Sequence, residues 1–111
     1  MRAWVLASAL LAVGATAVGT LAADPPEIPV AIEKNRFDPD EMRVKAGIPF
    51  VLVITNKDGG PEEFESKELR IEKIIPAGKT VRLRMPPLKA GTYPFVGEYH
   101  ATTAKGRIVA E

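Results

Sequence analysis

The sequence contains no cysteine and a single histidine, His100. Without thiols there is no disulfide framework and no thiolate to hold a soft metal. One histidine and no cysteine also leave little for nucleophilic catalysis, and no Ser-His-Asp or Cys-His constellation is visible. A phosphate-cradling glycine motif is missing; the glycines are scattered at turns. Charge of one sign is missing too. Lys and Arg number 15 against 14 Asp and Glu, a balance that argues against the clustered basic face of a nucleic-acid binder. No stretch reads as a convincing amphipathic helix.

Apolar residues make up 46% of the chain, many of them in the first 23 positions. Met1-Arg2 is a short basic start, and Ala3 to Ala23 carries no charge. This reads as a secretory signal over residues 1–22, with Thr20-Leu21-Ala22 as the processing site and a mature domain over 23–111. The rival is an uncleaved anchor, since the run approaches membrane-spanning length, but Gly, Ala, Ser and Thr dilute it. A small domain without disulfides depends on a tight apolar core or a bound ligand.

Turn signals recur about every 8 to 12 residues, the spacing of an antiparallel sandwich or barrel. Ile28 to Glu33 reads as an edge strand, where Pro29 is tolerable. Asn35 to Asp40 is a turn cluster with Phe37 inward. Glu41 to Lys45 alternates, with Met42 and Val44 on one face. Pro49 to Thr55 is a continuous β-branched run and the best central strand. Residues 56–61 are turn chemistry, and Glu62 to Ser66 is a short strand with Phe64 inward. Leu69 to Ile75 is read as extended, because its isoleucines are β-branched and Pro76 stops it. Thr80 to Met85 alternates again. Gly91 opens a strand that leads into the His100 loop, and Arg107 to Ala110 closes the fold. Alternation makes Met42 and Met85 core residues rather than soft ligands.

Two loops carry the chemistry. Glu98 lies two residues before His100, so in extended chain both side chains would project from one face. A histidine and a carboxylate on one strand end are half a metal site. Glu62, Glu63 and Glu65 crowd three carboxylates into four positions, and their repulsion calls for Lys67, Lys73 or a bound cation to offset it. Alternation places Glu63 and Glu65 opposite Phe64. Lys73 has two readings: a solvated partner of Glu72, or a group that orients Glu65.

These residues carry a family resemblance. Phe37-Asp-Pro, Val44-Lys-Ala-Gly-Ile-Pro-Phe50, Val53-Ile-Thr-Asn56, Pro61-Glu-Glu-Phe-Glu-Ser66, Pro76-Ala-Gly, Ala90-Gly-Thr-Tyr-Pro-Phe95, Gly97-Glu-Tyr-His100 and Gly106-Arg-Ile-Val109 resemble a bacterial cupredoxin-like domain. That implies an all-β, Greek-key β-sandwich. The Glu62–Ser66, Glu72–Ile75 and Gly97–His100 motifs resemble, more narrowly, the small members found with periplasmic ferrous-iron uptake systems. That narrower likeness implies a periplasmic location, a role in iron transport, and a periplasmic metal-binding protein and a membrane iron permease as partners.

A blue-copper site needs two histidines, a cysteine thiolate and usually an axial methionine. The four corresponding positions here are Glu62, Gly97, His100 and Ala104, so three of the four ligands are missing. The resemblance therefore implies a scaffold whose soft ligands have given way to oxygen donors. The expected metal ligands are His100, Glu98 and one or two of Glu62, Glu63 and Glu65, gathered on one rim of the sandwich and holding an iron or copper ion. Oxidation of iron, as in a ferroxidase, and simple carriage both stay open, and the sequence names no electron acceptor. The alternative is a metal-free β-sandwich interaction module that docks onto a membrane transport partner through its acidic loop.

Overall fold

A computed structural model of the chain describes Gly14 and residues 24–111. The segment read as a signal, residues 1–22, lies outside the described residues apart from Gly14. Among the described residues no helix is long and apolar enough to cross a membrane.

Nine strands build two sheets: β1 (Glu27–Glu33), β2 (Arg36–Asp38), β3 (Glu41–Val44), β4 (Phe50–Asn56), β5 (Glu62–Ser66), β6 (Ile71–Ile75), β7 (Thr80–Met85), β8 (Gly91–Gly97) and β9 (Lys105–Ala110). One sheet has the order β2-β1-β4-β7, the other β3-β9-β8-β5-β6. The only helical element among the described residues is a single 3₁₀ turn, Glu98–His100, between β8 and β9.

The pattern of each strand explains its place. β4 is apolar on both faces and is flanked by β1 and β7, as its β-branched run predicts. β3 and β7 bury the alternate side chains Met42, Val44 and Met85. Phe37, Phe64 and Phe95 meet at the centre with ring centroids 4.8–5.9 Å apart, Phe37 edge-on to both others. Such edge contacts add to the burial of three large rings.

Three expectations need correction. Ile28 to Glu33 is not an outer strand, because β2 lies beyond it. Pro29 is still tolerated, since β2 pairs only with Ala31 to Glu33 and leaves the Pro29 stretch with one neighbour. Arg36–Asp38, read as part of a turn, is that short covering strand. Nor are the sheets purely antiparallel: β1 runs parallel to β4 and β3 parallel to β9. Alternation fixes which side chains face inward but says nothing about strand direction, so the sequence pattern could not reveal this.

Candidate functional site

β5 is the strand on which the site is built. Its burial alternates strictly, with Glu62, Phe64 and Ser66 buried and Glu63 and Glu65 half-buried on the other face. Period-two geometry therefore sends neighbouring glutamates of one short strand to opposite sides of the sheet. Ser66 closes the far end of the inner row by donating to the Pro94 carbonyl. Before β5, the buried Asn56 amide donates to the carbonyls of Gly60 and Ile75 and its oxygen accepts from Asp58 N–H. The 56–61 loop is thus fastened to β6, which fixes where β5 begins.

On the inner side, Glu62 is 1% exposed. Its Oε2 lies 2.6 Å from His100 Nδ1. Its Oε1 accepts the backbone N–H groups of Glu63 and Tyr99, each at 3.0 Å. A buried carboxylate is costly unless its lone pairs are occupied, and here three donors occupy them. The backbone at His100 is fixed as well, because the His100 main-chain carbonyl accepts from Thr103 and Ala104 N–H. Gly97 faces this pair, and a Cβ there would lie 2.7 Å from the Glu62 carboxyl carbon and 2.7 Å from Ala104 Cβ.

On the outer side, Glu63, Glu65, Glu72 and Glu98 each offer a carboxylate oxygen, all within 4.8 Å of one another. They come from β5, β6 and the 3₁₀ turn. Glu72 arrives because it is the register partner of Glu65. The Glu98 carboxyl is pushed above the usual carboxylate range first by its hydrogen bond to Glu63, with the hydrogen bond to Glu65 opposing, and then by the charge of Glu63, partial burial and the charge of Glu72. Glu65 is raised likewise by its hydrogen bond to Glu98, with Lys67 opposing. The Tyr99 phenol is raised by partial burial and by the nearby carboxylates of Glu63, Glu98 and Glu62. Like charges crowded this closely hold protons that a cation would displace.

The five residues named from the sequence thus fall into two places. Glu62 and His100 meet inside the end of the sandwich. Glu63, Glu65 and Glu98 meet on the outer face of the five-stranded sheet, joined by Glu72. The expectation that Glu98 and His100 share a face fails, because residues 98–100 form a 3₁₀ turn rather than extended chain. At three residues per turn, side chains two apart point to different sides. Lys73 does not orient Glu65. It stands opposite Phe64 in register, on the other face from Glu65, and the cation acting on Glu65 is Lys67. Glu72 as a member of the group was not foreseen; pairing 62–66 with 71–75 in antiparallel register would have shown it.

The inner residues do not fit a blue-copper centre. The positions that would supply an imidazole, a thiolate and a thioether hold a carboxylate, a glycine and an alanine. Only His100 is a ligand type for that metal, and its Nδ1 is already taken.

Comparison with known proteins agrees with this scaffold. The family model for the Cupredoxin-like domain matches residues 3–110. A protein of Rickettsia prowazekii (strain Madrid E) is 35% identical over 83 residues, which are 75% of this chain and 66% of the relative, just under two thirds of its length. Auracyanin A, a "blue" copper protein of Chloroflexus aurantiacus, superposes with a TM-score of 0.65 at 16% identity, covering 79% of this chain and all of its own. The metal-binding domain of the Cu(I)-exporting P-type ATPase of Streptococcus pneumoniae D39, solved with Cu(I), gives 0.65 at 20% identity, over 77% of this chain and 84% of that one. Amicyanin of Paracoccus versutus gives 0.61 at 19% identity, over 83% and 86%. At such identities these structures speak for the fold, and together with the family match they establish that this chain belongs to the family of cupredoxin-like domains.

Proposed function

We propose that this domain binds a metal cation through oxygen donors on the outer face of its five-stranded sheet, at Glu63, Glu65, Glu72 and Glu98. The observation that carries the reading is the convergence of four carboxylates from three elements within 4.8 Å. Hard oxygen donors suit hard or borderline cations, iron among them, over Cu(I). The narrower resemblance of the Glu62–Ser66 and Gly97–His100 motifs supports reading this binding as a step of iron uptake outside the cytoplasmic membrane, with a periplasmic metal-binding protein and a membrane iron permease as proposed partners. The role is carriage or presentation of the ion.

Calorimetric titration of the mature protein with Fe(II), Cu(II) and Zn(II) tests this. At least one cation is expected to bind, and Glu65→Gln with Glu98→Gln should weaken it at least tenfold, about 1.4 kcal/mol. Equal affinity in wild type and double variant would retire the outer site.

A second reading has its own support. Ile74 is 50% and Tyr99 46% exposed; Ile74 is the register partner of Glu63, and Tyr99 follows Glu98. Apolar side chains among carboxylates also suit a docking face for a basic transport partner. Capture of the permease complex that survives metal chelation but is lost in Ile74→Lys would favour docking over metal binding.

A further inference from the structure

The four positions that correspond to copper ligands do converge, and what lies among them is the Glu62 carboxylate. Oε2 bonds His100 Nδ1 at 2.6 Å. A Cβ on Gly97 would come within 2.9 Å of the same oxygen, 2.7 Å of the carboxyl carbon and 2.7 Å of Ala104 Cβ. Ala104 is fully buried. The Glu62 side chain is almost wholly shielded from solvent by this chain's own atoms.

We propose that the Glu62 carboxylate stands in the metal's place: an internal anion that occupies the imidazole and closes this end of the sandwich, with Gly97 and Ala104 small because it is there. With Oε1 accepting two N–H groups, the ionised carboxylate accepts at Oε2 as well, so Nδ1 carries the proton and has no lone pair for a cation. A metal at this position would have to strip that proton and move the carboxylate aside. It would also leave the Tyr99 and Glu63 N–H groups without their acceptor. Metal chemistry is therefore excluded from the inner position, whatever the outer carboxylates do. The substitutions form one steric set: a long acidic side chain at 62 requires no side chain at 97 and a minimal one at 104.

Two measurements on the mature protein test this, and neither depends on the outer site. In the first, Gly97→Ala is made in wild type and in the Glu62→Ala background, and urea unfolding is compared. The collision predicts that Gly97→Ala lowers the folded-to-unfolded ratio about tenfold or more in wild type, the scale of an overpacked core. In Glu62→Ala the penalty should be at least about threefold smaller, the remainder coming from Ala104 Cβ, which the added Cβ still meets at 2.7 Å; the double-mutant cycle isolates the share due to Glu62. Equal penalties in both backgrounds would overturn the proposal. In the second, the His100 Nδ1–H proton resonance is followed while zinc chloride is added to the unmutated protein. It is expected to persist at millimolar zinc, including zinc bound elsewhere. Loss of that resonance with zinc bound would show that the carboxylate yields to the cation, and would also overturn it. The second measurement decides the matter even where Glu62→Ala does not fold.

Discussion

At the scale of single residues, adjacent glutamates of β5 have opposite roles. Glu62 is an interior acceptor, and its removal is costly. Glu62→Ala strands the N–H groups of Glu63 and Tyr99 and opens a hole beside Gly97 and Ala104. Lost acceptors and an unfilled site should together cost about 2–4 kcal/mol in urea unfolding. The contact with His100 adds little to that figure, because the His100 side chain is 37% exposed and water screens it. Glu62→Gln keeps the shape and one good acceptor and should cost clearly less. Glu98 behaves in the opposite way. Its carboxyl is raised first by its hydrogen bond to Glu63, and that of Glu65 first by its hydrogen bond to Glu98. A raised carboxyl binds its proton more tightly in the folded chain than in the unfolded one. Its contribution is therefore present below the ordinary carboxylate range and is lost as pH rises through the raised value. At neutral pH and without metal the crowding is thus a liability, and Glu98→Gln should raise the thermal midpoint. That gain should vanish at acid pH, as scanning calorimetry across the range would show.

At the scale of elements, β5 and the 3₁₀ turn explain what the sequence could and could not reveal. The inward Phe64, the outward Glu63 and Glu65, and the buried Met42, Val44 and Met85 were all legible, because side-chain alternation is a property of the strand itself. The strands read over Glu41–Lys45 and Thr80–Met85 were legible for the same reason, and that over Pro49–Thr55 from its continuous β-branched run. They form at Glu41–Val44, Thr80–Met85 and Phe50–Asn56, so Asn56, read as turn, closes its strand instead. The turn at Glu98–His100 was not. Three residues make one hydrogen-bonded loop only in the company of Glu62, whose carboxylate accepts Tyr99 N–H, and of Ala104. A contact across that much sequence leaves no local trace. The arrival of Glu72 beside Glu65 was hidden likewise, since it depends on the register of β6. β6 pairs with β5 alone, whereas β8 lies between β9 and β5. Its four residues Ile71 to Ile74 are at least partly exposed, and only Ile75 is fully buried. Backbone amides of β6 should accordingly exchange with deuterium faster than those of β8, the exposed edge opening below the global unfolding free energy. Ile75→Ala should widen the gap and weaken cation binding at the outer site, because Glu72 rides on the same strand; mass-resolved exchange and titration of one variant would read both effects.

At the scale of the whole molecule, the core and the site are separable. The chain has no cysteine for a disulfide, and Glu62 and His100 meet at one end of the sandwich. Three interlocked phenylalanines and the buried faces of both sheets supply the packing. A domain whose fold is the metal site unfolds on chelation. This one should remain cooperatively folded in excess chelator, because its carboxylate cluster lies on the outside of a finished sheet. The cation should then act as a ligand does, raising stability by mass action: about 2.7 kcal/mol at a hundredfold excess over the dissociation constant. For a domain of this size that is a rise in unfolding midpoint on the order of 10 °C. The rise should follow the logarithm of the cation concentration, and Glu65→Gln with Glu98→Gln should abolish it while raising the metal-free midpoint. Copper should bring no intense visible band in either protein, since no thiolate is present to donate charge to it. A chelated protein that unfolds would mean that an ion holds the sandwich together, and both the sealed interior and the surface site would have to be redrawn.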